Sequence, residues 1–135
     1  MKEDSLEISK YINIARNCHK EGNLYQANEI YKKLINKKIY TFDLLFSYGI
    51  FNKEINNFKI AKNLFTLSIK KYPLKINSYI LLAEIFRIEN NVDDALKALL
   101  AAKQIEKSNS EIDYNLSITY KTIKSFKEAI LSINS

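Results

Sequence analysis

Apolar and polar residues alternate along this chain with the period of amphipathic helices. Large apolar residues recur three and four positions apart, a spacing that places them on one face of a helix. Glycine occurs twice and proline once, so turn signals are few and a β-sheet fold is disfavoured. The pattern predicts eight helices, near residues 6–21, 24–38, 42–55, 58–72, 76–89, 92–106, 110–122 and 125–134.

The apolar pattern also repeats every 34 residues. The four similar segments are NLYQANEIY, NFKIAKNLF, NVDDALKAL and the weaker SFKEAILSI, which align on Ala27, Ala61, Ala95 and Ala129. Large apolar residues stand three positions before and four positions after each of these alanines. A small residue stands twelve positions before each of them, at Ala15, Gly49, Ala83 and Ser117. Self-similarity at a fixed period indicates a fold of stacked repeats.

The recurring alanines have an explanation in packing. We expect each repeat to be a pair of helices, with the small residue of the first helix opposite the alanine of the second. Two small residues allow the backbones to approach closely, whereas a larger side chain there would overpack the contact at a cost of about 1–3 kcal/mol. The alanines therefore mark a packing contact and no functional site.

A 34-residue period, with a small residue in the first helix and an alanine in the second, resembles the tetratricopeptide repeat. The resemblance implies an all-α fold, a right-handed superhelical solenoid of antiparallel helix pairs. It predicts a single domain over residues 1–135, with units at 8–41, 42–75 and 76–109 and a partial unit at 110–135. The last unit departs from the family pattern, since Asp113 stands where the family usually has an aromatic residue.

In this family the first helices line a concave face that usually holds a peptide. The positions of that face are Ile12, Arg16, Phe46, Ile50, Ile80, Glu84, Tyr114 and Ile118. Most of them are apolar or aromatic, which predicts a partner segment with apolar anchors, oriented by the two charged residues. An alternative is that neighbouring helices or a second copy cover this row.

The same resemblance allows one kind of partner to be tested. Co-chaperones of the family hold acidic C-terminal tails through a carboxylate clamp of Lys, Asn, Asn, Lys and Arg. The matching positions here are Ile12, Arg16, Ser47, Asn77 and Leu81. Only Arg16 carries a positive charge, so the sequence predicts that this clamp is absent.

Positive charge is concentrated in the first half of the chain. The net charge is +6, and lysines cluster on the predicted second helices at Lys32, Lys33, Lys37, Lys38, Lys59, Lys62, Lys70 and Lys71. Lysines near helix C-termini complement the helix dipole and keep a surface soluble. Arginine, the usual reader of base edges, occurs only twice. Non-specific nucleic-acid binding is therefore the lowest-ranked hypothesis.

Catalytic chemistry has no support in the sequence. Cys18 and His19 are adjacent, and neighbours on a helix point in different directions. No residue cluster has metal-ligand spacing, and no phosphate-loop or nucleophile motif occurs. We expect a non-enzymatic protein without metal or cofactor. The first residues lack a signal-peptide pattern and no apolar run is long enough for a membrane span, which predicts a cytoplasmic protein.

The C-terminal end carries an apolar face at Phe126, Ala129, Ile130 and Ile133. Three interpretations stay open: the face forms a homodimer, it accepts another partner, or the chain is a shortened relative of a longer protein. The leading hypothesis is a protein-interaction module, a scaffold or chaperone-like adaptor that binds a partner segment in its groove. The alternative is the N-terminal repeat array of a larger transferase.

Overall fold

The computed structural model describes residues 5–134 of the chain. In that range it contains seven helices and no strand: α1 (Ser5–Lys20), α2 (Leu24–Asn36), α3 (Phe42–Glu54), α4 (Phe58–Lys71), α5 (Ile76–Ile88), α6 (Val92–Ile105) and α7 (Ser110–Asn134). The predicted all-α fold of helix pairs is confirmed. The bounds of the first six helices agree with the sequence prediction to within two residues.

The helices form two units, Met1–Tyr72 and Pro73–Ser135. In the first unit, α1 pairs with α2 and α3 with α4, and α1 also contacts α3. In the second unit, α5 pairs with α6, and α7 packs against α6. Each unit has its own core, centred on Leu44, Leu45 and Phe51 in the first and on Ala83, Leu99 and Ile112 in the second.

The repeated small residues of the first three repeats are buried within their units. Ala27, Ala61 and Ala95 are each wholly buried. At Gly49, on α3, an added Cβ atom would lie 2.5 Å from Cε1 of Phe65 on α4, and Phe65 is itself completely buried. The repeat alanines are therefore buried packing positions in the first three repeats, as expected, whereas the atoms nearest the Gly49 position belong to Phe65 and not to the expected Ala61.

Each of the first three pairs turns at a residue with a left-handed backbone. Gly22, Asn56 and Asn90 have φ angles of 85°, 65° and 63°, and each stands five positions before the repeat alanine. In each turn the next residue, an asparagine, donates its backbone N–H to a carbonyl five residues earlier, over 2.7–2.8 Å. This is the Schellman ending of a helix, for which glycine and asparagine are the preferred residues.

The fourth repeat differs from the prediction of two helices, because α7 runs without interruption through residues 122–125. The position that corresponds to Gly22, Asn56 and Asn90 is occupied by Lys124. A left-handed backbone costs an ordinary side chain roughly 1–2 kcal/mol, whereas lysine is among the better residues in a helix interior. The helix therefore continues, and the eight predicted helices are seven in the described part of the chain.

Candidate functional site

A groove beside α1 and α3 brings together several side chains of the first unit. Its inner part has a volume of about 200 Å³ and is lined by Arg16, His19, Tyr31, Phe46, Ser47 and Ile50. A shallower part of about 550 Å³ shares three of these residues and adds Asn17, Lys20 and Glu54. We refer to these residues together as the N-terminal groove.

The register of the two helices explains why these residues meet. Phe46 and Ile50 are four residues apart on α3 and so lie on one face of that helix. Arg16 belongs to α1, which contacts α3 directly. Three of the residues predicted from the sequence to form a binding row therefore line one cavity.

Arg16 is held by hydrogen bonds across the groove. Its Nε and Nη2 atoms donate to Oγ of Ser47 over 3.1 and 2.6 Å, and Nη1 donates to Oδ1 of Asn13 over 3.1 Å. Nη2 also forms an ion pair with Asp43. These contacts fix the guanidinium and balance its charge, so Arg16 is a structured wall of the groove.

The other wall contains a second polar pairing. Nε2 of His19 lies 2.7 Å from Oε2 of Glu54. The imidazole also meets the ring of Phe51 edge to face, with 5.0 Å between ring centroids. Sequence reasoning missed this pairing, because residues 35 positions apart give no periodic signal.

Tyr31 forms the floor of the groove and is 1% exposed. Its ring stacks on that of Tyr48 at a centroid distance of 4.9 Å. Burial raises the pKa of Tyr31 to about 12, and burial also raises the pKa of Tyr48. The Tyr48 hydroxyl donates to Oδ1 of Asn28 over 2.8 Å. Tyr31 therefore stays neutral to a higher pH than an exposed tyrosine, and its ring closes the base of the groove.

The predicted apolar row is exposed to different degrees within the first unit. Phe46 and Ile50 are half-buried, so part of each side chain faces the groove. Ile12, by contrast, is 1% exposed and belongs to the hydrophobic core with Leu44 and Leu45. Since its surface is already covered by its own unit, Ile12 is a core residue and the expectation of an anchor there is corrected.

The second unit contains the other half of the predicted row. Ile80 is 5% exposed and packs in the core, which corrects the expectation that it is an anchor. Glu84 and Ile118 are half-buried, and Tyr114 is 67% exposed on α7.

One polar contact of the second unit was not predicted. Nη2 of Arg87, on α5, donates to Oδ1 of Asn115, on α7, over 2.9 Å. Nε of Arg87 is buried and has no hydrogen-bond partner among the described residues. This contact connects the two first helices of the unit beside Glu84 and Ile118.

The predicted C-terminal interface residues lie on an open face of α7. Phe126, Ile130 and Ile133 are 44%, 58% and 81% exposed. From Lys124 to Asn134 every residue is exposed. This part of α7 therefore presents its apolar residues largely to solvent.

The lysines of the first unit lie mainly at the surface of α2 and α4. Seven of the eight that the sequence analysis singled out are exposed, and Lys62 is half-buried. Nζ of Lys71 lies over the ring of Tyr40, 5.2 Å from its centroid.

Residues 5–134 contain no cluster of three or more His, Cys, Asp or Glu side chains arranged for a metal ion. None of the described helices has the length and apolar character of a membrane span.

No protein-family model and no curated protein sequence matches the chain. Solved structures do resemble it. The first TPR of Spaghetti (RPAP3), bound to the HSP90 peptide SRMEEVD, has a TM-score of 0.78 at 16% identity, and the match covers 90% of this chain and 96% of that one. The Yersinia enterocolitica type III secretion chaperone SycD, in complex with a peptide of the translocator YopD, has a TM-score of 0.75 at 13% identity, covering 93% and 96%.

A third similar structure is a Thermobaculum terrenum O-GlcNAc transferase, with a TM-score of 0.73 at 13% identity. The match covers 88% of this chain but 23% of the transferase. Identities this low carry information about the fold alone. In its repeat period, its helix pairs and its structural similarity, the chain has the fold of tetratricopeptide-repeat proteins.

Proposed function

We propose that the protein is a non-enzymatic interaction module that binds a segment of another protein in the N-terminal groove. The observation that carries the proposal is the cavity shared by Arg16, Phe46 and Ile50. Half-buried apolar side chains that border a polar rim are the usual anatomy of a peptide-binding surface. A scaffold or chaperone-like adaptor needs such a surface and no catalytic group.

The charges of the groove favour an apolar partner segment. Arg16 is balanced by Asp43 and His19 is close to Glu54, so the polar groups at the rim already have partners within the unit. Phe46 and Ile50 supply the apolar surface. Tyr31 closes the base of the groove with its buried aromatic ring.

An acidic C-terminal tail fits this groove poorly. Of the five positions of the carboxylate clamp, the one cation is Arg16, whose guanidinium is engaged by Asp43 and Ser47. Ile12, at another clamp position, is buried. The RPAP3 and SycD structures were both determined with a bound peptide, which supports a peptide as the ligand class and leaves its chemistry to be set by these residues.

The test uses peptides selected from a random displayed library against the intact chain, with binding followed by fluorescence anisotropy. Ile50→Ser should weaken a selected peptide by about tenfold, a typical loss for an interface anchor. Ile69, half-buried on α4 and outside the groove, provides the matched control Ile69→Ser, which should leave affinity unchanged. Circular dichroism of both variants checks that the helices are retained.

A second pair of variants distinguishes loss of a groove contact from local unfolding. Phe46→Ser changes the groove, and Phe58→Ser changes an equally half-buried phenylalanine outside it. Equal losses in the groove and control variants, or failure of any peptide to be enriched, would show that the groove is not the site. A labelled single-stranded DNA measured at low and high salt serves as the comparison for non-specific attraction to the lysines.

A second candidate is a repeat array that serves a larger transferase. It is favoured by the similarity to the Thermobaculum terrenum O-GlcNAc transferase, of which the matched region is 23%. In that role the groove would present a substrate protein to a catalytic part supplied elsewhere. Peptides selected on the groove would then be modified by the partner enzyme, which mass spectrometry of the peptide can detect, whereas an adaptor leaves them unchanged.

A further inference from the structure

The fourth repeat contains both halves of a helix pair, but the structure leaves them unpaired. In the first three repeats the alanine of the second helix is wholly buried, at Ala27, Ala61 and Ala95. In the fourth repeat the corresponding Ala129 is exposed. Its sequence still has the apolar residues of a second helix around it, Phe126 three positions before and Ile133 four positions after.

The first half of α7 shows the same open face. Ser117 corresponds to Ala15 and Ala83, which are wholly buried, and yet Ser117 is exposed. Tyr120, one turn further along, is 50% exposed. The opposite face of this half is already packed, since Ile112 and Leu116 are buried in the core of the second unit. Each half of α7 therefore lacks the partner that the other half has the sequence to provide.

The two halves cannot reach each other within one straight helix. Ser117 and Ala129 are twelve residues apart, which is about 18 Å along a helix. A hairpin would require the left-handed turn at Lys124, where the first three repeats have glycine or asparagine. When two copies of α7 pack antiparallel, no turn is needed. The second half of each helix then lies beside the first half of the other helix.

We propose that two copies of this chain exchange the second halves of α7 and complete each other's fourth repeat. The occupant of the open face of Phe126, Ala129 and Ile133 is then the face of Ser117 and Tyr120 on the other copy, and the reverse contact follows from twofold symmetry. Exchange forms two helix pairs per dimer, so the dimer buries twice the area that one such helix pair would bury alone. Stable interfaces bury about 800 Å² per partner, which favours this reciprocal arrangement over one isolated apolar contact.

The decisive experiment is disulfide crosslinking between two variants of the full chain. Cys18, the one cysteine, is first replaced by Cys18→Ser. Ser117→Cys and Ala129→Cys are then made on separate chains and mixed under mild oxidation. Exchange predicts a covalent dimer in the mixture and none in either variant alone, because the two equivalent positions of one symmetric dimer lie far apart along the paired helices. Light scattering should show a dimer that dissociates on dilution.

Other results overturn the proposal. A covalent dimer of Ala129→Cys alone would mean that two second halves meet face to face. An intrachain disulfide in a chain that carries both cysteines would mean that the hairpin closes within one molecule. A monomer at all concentrations, with no crosslink, would mean that the face stays open.

A second test acts on the turn and does not depend on cysteines. Lys124→Gly supplies the residue that the turn of the first repeat uses, so it should favour the closed hairpin and weaken dimerisation by about tenfold. Lys121→Gly is the matched control, since it places the same helix-weakening residue at an exposed position of α7 outside the turn. Equal effects of the two substitutions on the dimer would contradict the exchange.

Discussion

The third and fourth repeats carry the same apolar register in one unit, but only the third folds as a helix pair. Ala95 and Leu99 of α6 are wholly buried against their unit, whereas Ala129 and Ile133 at the equivalent positions of α7 are exposed. The apolar residues of the two repeats are similar. Their turn residues differ, since Asn90 adopts a φ of 63° and Lys124 continues the helix.

This difference shows that two conditions must be met for a repeat to close. The apolar register provides the free energy of packing, and the turn residue sets the free-energy cost of bringing the two faces together in one chain. Loss of a favourable turn residue costs about 1 kcal/mol, which is small beside the burial of several apolar side chains. An alternative partner for those side chains can therefore decide which arrangement forms.

The largest expected effect comes from filling the close contact of the third repeat. Ala95→Leu adds volume at a position with no exposed surface and should lower the free energy of unfolding by about 1–3 kcal/mol. Ala129→Leu makes the same change at an exposed position and should leave the stability of the monomer nearly unchanged. Urea denaturation of both variants at low concentration measures the difference.

Similar losses of unfolding free energy for both substitutions would contradict the difference between the two repeats, because they would show that Ala129 is packed in the monomer. At concentrations where exchanged dimers form, Ala129→Leu should raise the dissociation constant of the dimer. This second readout separates a closed fourth repeat from one completed by another copy.

The sequence was sufficient to predict most of the fold, because the repeat is specified by apolar spacing and by small residues. The predicted ends of the first six helices differ from the structure by at most two residues. The seventh and eighth helices could not be separated correctly by the same signal. The residue five positions before each alanine carries the missing signal. It is Gly22, Asn56 and Asn90 in the first three repeats, which favour a turn, and Lys124 in the fourth, which favours a continuous helix.

The candidate site was harder to predict, because periodicity gives the face of a residue and not its neighbours. Phe46 and Ile50 were placed on one helix face, and both line the groove. Ile12 and Ile80 belong to the same predicted row but are covered by their own units. The contacts of Arg16 with Asp43 and Ser47 join residues 27 and 31 positions apart, so they depend on how α1 meets α3.

A smaller loss of stability is expected from a substitution at the turn of the third repeat. Asn90→Lys places the residue of the fourth repeat where φ is 63°, and should lower stability by about 1 kcal/mol. Lys38 adopts a φ of 61° at the end of α2, so the substituted turn is strained but accessible and the helix pair should persist. Asn90→Gly is the control and should retain the stability of the original chain, as measured by thermal and urea unfolding. An Asn90→Lys chain as stable as the original would show that the turn residue contributes no free-energy cost to closure.

The smallest effect at neutral pH concerns the position four residues after the alanine, which is Tyr31 in the first repeat and Ile133 in the fourth. Burial raises the pKa of Tyr31 to about 12, above the ordinary value of about 10 that an unfolded chain retains. The folded state therefore keeps the proton that the unfolded state loses between pH 10 and 12. The contribution of Tyr31 to stability is complete below pH 10 and is lost as the pH rises through that window.

Because burial also raises the pKa of Tyr48, the Tyr31 signal is taken as the difference between the ultraviolet titrations of the original chain and of Tyr31→Phe, which should show one late-titrating phenol. In a separate Ile133→Tyr variant, kept dilute so that it is monomeric, the new phenol should titrate near pH 10, because Ile133 is 81% exposed. A late titration of that new tyrosine in the monomer would mean that the fourth repeat closes in solution as the first three do. An ordinary titration that becomes late as the chain concentration rises would instead place this position in the interface between two copies.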